Sequence, residues 1–147
     1  SNSFYGTDYR KVNAKKYRPD PFTIITNDKI ANLKMTKEGQ DKPLSLFDKS
    51  KIETSDMYGY YQGGNQGVTR IQGNAGNGKR ILVIKDSFAN SMVQYLTYDY
   101  DEIVMVDLRH YNGSVSAILN SQSFDRVLFN YNIQTLVQDP TVSKLRN

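Results

Sequence analysis

The chain of 147 residues has the length of one domain, and its 38% hydrophobic residues, with 11 tyrosines and 6 phenylalanines, are enough to build a core. The absence of cysteine excludes disulfide bonds, thiolate zinc sites and a cysteine nucleophile, and the net charge of +4 is only mildly basic. No apolar run approaches the ~20 residues of a membrane-spanning helix. Asp, Glu and His do not cluster at the spacing of metal ligands, so we expect no metal and no cofactor.

Much of the positive charge lies in a basic stretch, residues 9–18, in which Arg10, Lys11, Lys15 and Lys16 stand between tyrosines. Such a stretch suits nucleic acid or an anionic glycan, but it is equally typical of a solvated surface segment. We favour the solvated segment and therefore expect no nucleic-acid partner.

The first half of the chain, residues 1–78, is polar, rich in turns and weakly periodic. Residues 22–26 are predicted to be a strand, residues 44–48 to begin a short helical turn, and residues 68–71 to be a second short strand. The glycine-rich residues 73–78 are typical of a flexible connection. We expect this half to pack on the core as an irregular portion that contributes short strands.

The second half, residues 79–147, is regular and predicts a βαβαβ core of the same, truncated domain. Apolar runs predict buried parallel strands, and apolar residues at helical spacing predict two crossover helices. The fold class predicted is therefore α/β, a sandwich around a parallel sheet. The predicted strands are residues 80–84, 102–106 and 126–129, and the helices are marked by Phe88, Met92, Val93 and Leu96, then by Val115, Ile118 and Leu119.

Polar side chains follow each of these strands, where ligands bind in parallel α/β sheets. The three strand ends, Lys85-Asp86-Ser87, Asp107-Leu108-Arg109-His110-Tyr111 and Asn130-Tyr131-Asn132, should lie along one edge of the sheet. This convergence predicts a binding or catalytic site at that edge.

Ser87 lies in a strand–turn–helix stretch, a common place to display a nucleophile, although Asp86 or Ser87 equally suits a plain helix cap. A serine nucleophile needs a general base, usually a histidine oriented by a carboxylate. The single histidine, His110, follows the neighbouring strand and has Asp107 or Asp86 as a candidate orienter. We favour an ordinary loop histidine at this position.

Two further groups have a functional and a structural interpretation. Asp107 and Arg109 either bind a substrate or form an ion pair with each other. Gly63-Gly64-Asn65 either supplies donors to an oxyanion or forms a tight turn with positive φ angles.

Taken together, these segments resemble the C-terminal part of the DHHW protein family, which is named for an Asp-His-His-Trp motif and is related to SGNH hydrolases and alginate O-acetyltransferases. The similarity covers nearly the whole chain in order, and the Lys-Asp-Ser-Phe-Ala-Asn and Asp-Leu-Arg-x-Tyr motifs are its most specific parts. The matching segments are Phe4-Tyr5-Gly6-Thr7, Tyr61-Gln62-Gly63-Gly64-Asn65, Ile81-Leu82-Val83-Ile84-Lys85-Asp86-Ser87-Phe88-Ala89-Asn90, Val106-Asp107-Leu108-Arg109-His110-Tyr111-Asn112-Gly113 and Val127-Leu128-Phe129-Asn130-Tyr131-Asn132.

The resemblance implies a Ser-His-Asp acyl-transfer site on an SGNH-like core, a three-layer α/β/α sandwich with a flavodoxin-like parallel sheet, with Ser87 as the nucleophile. The catalytic Asp and His would come from a motif upstream of Phe4, which this sequence does not contain, and His110 stands where the family usually has tyrosine. The parent protein would be an O-acetyltransferase or esterase that acts on a polysaccharide of the bacterial cell envelope. Because it lacks the upstream base, this chain is expected to be inactive or nearly so.

In that scheme the N–H groups of Ser87 and Phe88, together with Asn65, hold the oxyanion. The alternative is a non-catalytic glycan-binding or scaffolding module whose tyrosines stack on sugars or pack in the core. The sequence leaves the oligomeric state open. Residues expected to shape the pocket are Gly64, Asn90, Asp107, Arg109, His110, Asn130 and Asn132, and the tyrosines are Tyr58, Tyr60, Tyr61, Tyr95, Tyr98 and Tyr111.

Overall fold

The computed structural model describes residues 4–6, 9 and 17–146, which form an α/β fold around a six-stranded mixed sheet. The strand order is β2-β1-β3-β5-β4-β6. The predicted α/β sandwich is confirmed, and the basic stretch lies mostly outside the described residues. The strands are β1 (Lys34–Lys37), β2 (Leu44–Ser45), β3 (Val68–Gln72), β4 (Arg80–Lys85), β5 (Glu102–Val106) and β6 (Arg126–Asn130).

The central strand β4 pairs in parallel with β5 on one side and with β6 on the other. Its apolar run is buried on both faces, as expected for the middle of a parallel sheet. Ile81 and Val83 face one half of the core, while Leu82 and Ile84 face the other half, and none of the four is more than 3% exposed.

Helices cover both faces of the sheet and give the fold its three layers. The second helix packs Ala89 and Val93 on one face, and the third packs Val115 and Ile118 on the opposite face. Within residues 17–146 the helices are α1 (Asp28–Ala31), α2 (Ala89–Leu96), α3 (Val115–Ser121) and α4 (Ile133–Gln138), with 3₁₀ turns at Lys49–Lys51, Met57–Tyr60 and Pro140–Arg146.

The first half of the chain contributes three antiparallel strands, so the sheet is mixed and not parallel throughout. The predicted strand at residues 22–26 is wrong, because this extended segment packs Phe22 and Ile24 on the core without pairing to another strand. The helical turn predicted at residues 44–48 is also wrong. Leu44 and Ser45 form β2, whose pairing with β1 decides the local conformation.

Candidate functional site

Asp86 holds the turn between β4 and α2. The side chain is fully buried, with Oδ1 accepting a hydrogen bond from the Phe88 N–H at 2.9 Å and Oδ2 accepting one from the Asn132 N–H at 2.8 Å. The Asp86 N–H in turn donates to the Asn130 carbonyl at 3.1 Å. Of the two predicted capping residues, Asp86 and Ser87, it is therefore Asp86 that stabilises this turn. Its second hydrogen bond links the end of β4 to the end of β6.

The carbonyl of Ser87 is held from two sides. The Tyr58 hydroxyl donates to it at 2.8 Å, and the Asn90 N–H donates to it at 3.1 Å. Burial raises the pKa of Tyr58, so its hydroxyl stays a neutral donor over the physiological range. Ser87 is half-buried, and within the described part of the chain neither its hydroxyl nor its N–H makes a hydrogen bond. The contacts of Tyr58 and Asn90 fix the backbone of the turn, whereas the hydroxyl and the N–H of Ser87 make no contact that stabilises it.

The Tyr58 hydroxyl yields a prediction for stability. Tyr58→Phe removes the hydrogen bond to the Ser87 carbonyl, so we expect the free energy of unfolding to fall by about 1 kcal/mol. Tyr95→Phe is the matched control, because the Tyr95 ring is 42% exposed and its hydroxyl has no hydrogen bond among the described residues. Urea denaturation of both variants measures the difference, and equal losses would show that the Tyr58 hydroxyl does not brace the turn.

Behind this turn, Asp107 is the centre of a buried ion cluster. Arg109 donates to it through Nε at 2.8 Å and Nη2 at 2.7 Å, and Lys85 Nζ lies 3.4 Å from Oδ2. Burial alone raises the pKa of Asp107, but the Arg109 hydrogen bonds and the charge of Lys85 outweigh it and hold the pKa below its usual value. Of the two interpretations of Asp107 and Arg109, the geometry supports the ion pair.

Asn65 reaches the same cluster through a turn of unusual backbone geometry. Gln62, Gly63 and Gly64 have φ angles of 65°, 62° and 102°, so three consecutive residues are left-handed. For Gln62, which is not a glycine, this conformation costs of order 1–3 kcal/mol. The Asn90 Nδ2 donates to Asn65 Oδ1 at 3.0 Å, which brings the end of this turn beside α2.

His110 is not joined to Ser87. Its side chain is exposed, and its carbonyl lies 2.8 Å from the position that a Cβ on Gly67 would occupy, on the β3 side of β5. Ser87 follows β4, on the opposite side of β5. Across the described ranges, no hydrogen bond or ion pair connects the His110 imidazole to Ser87 or Asp107.

The remaining predicted site residues lie along the same sheet edge. Asn132 caps α4, because its Oδ1 accepts from the Gln134 N–H at 2.8 Å, and Asn130 Nδ2 donates to Met92 Sδ at 3.3 Å. The Phe88 ring is 62% exposed, and its N–H is already engaged by Asp86. Of the two backbone donors predicted for the oxyanion, Ser87 N–H and Phe88 N–H, only that of Ser87 has no acceptor among the described residues.

Ser87 lines none of the five grooves described on this surface, one of which, of about 320 Å³, runs between Lys37, Arg70 and Tyr111. Residues 4–6, 9 and 17–146 contain no group of three carboxylates or histidines that could hold a metal ion. Nor does any helix in these ranges have the length and apolar character needed to cross a membrane.

Comparison with solved structures finds similar folds. A DHHW family protein from Eubacterium siraeum DSM 15702 superposes with a TM-score of 0.82 over 100% of this chain and 51% of that chain, at 22% sequence identity. Bacillus cereus PatB1 is similar over 71% of this chain and 36% of that chain at 27% identity, with a TM-score of 0.58 when it carries a sulfonyl adduct and 0.56 in a second structure. No protein-family model and no curated protein matches the sequence. The chain thus spans about half the length of the DHHW family protein.

Proposed function

We propose that Ser87 occupies the nucleophile position of an SGNH-like serine acyl-transfer site, and that the chain is related to the C-terminal part of DHHW family proteins. The observation that carries the proposal is the state of Ser87: its turn is braced by Asp86, Tyr58 and Asn90, yet its own hydroxyl and N–H have no partner in the described part of the chain. The similarity to PatB1, at 27% identity, supports the proposal because that protein has a structure with a sulfonyl adduct, a covalent product that an activated serine can form.

The reaction proposed is transfer of an acyl group through Ser87. The Ser87 oxygen attacks the carbonyl carbon of an ester, its proton passes to a base, and the resulting oxyanion is held by nearby N–H donors. Collapse of this intermediate releases the first alcohol, which takes up the proton, and leaves an acyl-serine. A sugar hydroxyl or water then attacks the acyl-serine and restores the free serine. The acceptor proposed is a polysaccharide of the cell envelope.

Residues 1–147 are proposed to carry this site without its base. The only histidine in the sequence, His110, is on the far side of β5 from Ser87, so no described imidazole reaches the hydroxyl. Loss of the base in a serine triad lowers turnover by several orders of magnitude, although the oxyanion donors and substrate binding retain a residual rate.

Covalent labelling tests the proposal. With phenylmethylsulfonyl fluoride at alkaline pH, where hydroxide can remove the serine proton, we expect slow addition of one sulfonyl group to the protein and none to Ser87→Ala. The matched control is Ser121→Ala, a serine at the end of α3 whose hydroxyl donates to the Ile118 carbonyl. Intact-mass spectrometry measures the addition, and equal labelling of Ser87→Ala and the wild type would refute the assignment.

A glycan-binding module is the second candidate, because the Phe88 ring is exposed next to Ser87 and two further tyrosine rings are exposed toward the end of α2 and beyond it. Phe88 is 62% exposed, and Tyr95 and Tyr98 are 42% and 40% exposed, whereas Tyr60, Tyr61 and Tyr111 are buried. Exposed rings of this kind stack on sugar faces. Titration calorimetry with amino-sugar and uronate oligosaccharides tests this candidate: binding that Phe88→Ala abolishes and Ser87→Ala leaves intact would favour it.

A further inference from the structure

A buried lysine lies directly behind the Ser87 turn. Lys85, the last residue of β4, is 1% exposed, and its Nζ has three acceptors around it. These are Asn90 Oδ1 at 2.9 Å, Asn65 Oδ1 at 3.4 Å and Asp107 Oδ2 at 3.4 Å. An ammonium group has three N–H donors, so each donor of Lys85 has one acceptor. This group is fully engaged within the protein and is not available to a substrate.

The lysine determines how the amide of Asn65 is oriented. Asn65 Oδ1 accepts from Lys85 Nζ and also from Asn90 Nδ2 at 3.0 Å, so both of its lone-pair positions are used. Because the oxygen of a planar amide is held by the buried cluster, the nitrogen must point out of it. Within the described residues Asn65 Nδ2 donates to no acceptor, and the residue is partly exposed.

Asn65 is linked to the Ser87 turn through Asn90. Asn90 donates through its backbone to the Ser87 carbonyl at 3.1 Å and through its side chain to Asn65, so a single residue separates the two. The left-handed turn Gln62-Gly63-Gly64 delivers Asn65 to this place. Gln62, 1% exposed, anchors the turn by donating its N–H to the Leu46 carbonyl at 2.8 Å.

We infer that Lys85 is a positioning residue that holds the Asn65 amide with its Nδ2 toward the Ser87 side, where it serves as the side-chain donor to the oxyanion. The inference rests on the proposed function and extends it to a residue that touches no substrate. Without the lysine, the Asn65 oxygen keeps only the Asn90 donor, so the amide rotates by 180° more readily and presents its oxygen, which repels an oxyanion. Loss of one such donor lowers rates about 10²–10³-fold in serine enzymes.

The test compares two variants in the sulfonylation of Ser87. Asn65→Asp keeps an acceptor for Lys85 but removes the Nδ2 donor, and Lys85→Met keeps Asn65 but removes one of the two donors that hold its oxygen. We expect both to label Ser87 at least about tenfold more slowly than the wild type. Leu82→Ala, a core variant on the opposite face of β4, controls for lost stability and should label at the wild-type rate well below its melting temperature. If circular dichroism shows that Lys85→Met does not fold, Asn90→Ala replaces it, because it removes the other donor to Asn65.

A spectroscopic readout separates this inference from the proposed function. In the wild type, the Asn65 side-chain NH₂ protons should show nuclear Overhauser contacts to Ser87, and Lys85→Met should lose them. Wild-type labelling rates in Lys85→Met, or contacts that persist in that variant, would overturn the positioning role while leaving Ser87 as the nucleophile. If Ser87 is not labelled even in the wild type, the proposed function fails, and the contacts alone still decide how Lys85 orients Asn65.

Discussion

Replacing Asp107 by alanine is expected to lower the free energy of unfolding by about 3–5 kcal/mol, because it leaves a buried charge without its partner. Lys85 is 1% exposed and cannot reach water, whereas Arg109, whose side chain is 30% exposed, can turn outward. The whole penalty therefore falls on Lys85. Urea denaturation at neutral pH measures the loss.

Glu102→Ala is the matched control, since Glu102 also accepts from two cations and lies at the start of β5, the strand that Asp107 follows. Its partners Arg70 and Arg80 lie at 2.9 Å and 3.2 Å, but all three side chains are 29–45% exposed. Ion pairs in such solvated positions contribute about 0–1 kcal/mol. Similar losses for the two variants would contradict the account of Asp107 as a buried counter-ion.

The pH dependence of stability is a second test of Asp107 as the counter-ion of Lys85. The pKa of Asp107 is lowered in the folded state, so its contribution is present above the unfolded value of about 4 and is lost as pH falls through the folded-state pKa. Burial lowers the pKa of Lys85, an effect that Asp107 opposes. In Asp107→Ala this opposition is gone, so we expect the stability of the variant to rise between pH 7 and about 10 more steeply than that of the wild type.

The regular half of the fold could be predicted from sequence because its strands are buried on both faces. Such strands are continuous apolar runs, and β5 begins and ends at the predicted residues, Glu102 and Val106. By contrast β1, Lys34–Lys37, has a single buried residue, Met35, and its strand conformation depends on pairing with β3. The apolar pattern of these four residues does not reveal that pairing, so the sequence does not predict this strand.

The sequence predicts where the site lies, because the polar ends of parallel strands meet at one edge of the sheet. It does not predict which side chains form hydrogen bonds or ion pairs there. The three polar ends do meet: Lys85 contacts Asp107, and Asp86 contacts Asn132. The Tyr58 hydrogen bond to the Ser87 carbonyl joins residues 29 positions apart, which no local motif indicates. The burial of Lys85 was also not predicted, because a lysine at a strand end is ordinarily exposed.

The central claim is that Ser87 stands in a nucleophile's position without a base, and the pH profile of its sulfonylation tests that claim most directly. If hydroxide alone removes the serine proton, the rate constant rises about tenfold for each pH unit from about pH 6 to 9, a total change near a thousandfold. A histidine base would instead give a rate that levels off near neutral pH, where the imidazole is already deprotonated.

Rates of phenylmethylsulfonyl fluoride addition to Ser87, followed by peptide mass spectrometry across this pH range, provide the measurement. His110→Ala is the control, and we expect it to follow the wild-type profile because its side chain is not joined to Ser87. The account predicts a continuous rise with no plateau in both proteins. A plateau near neutral pH in the wild type that His110→Ala abolishes, or addition at a residue other than Ser87, would contradict it.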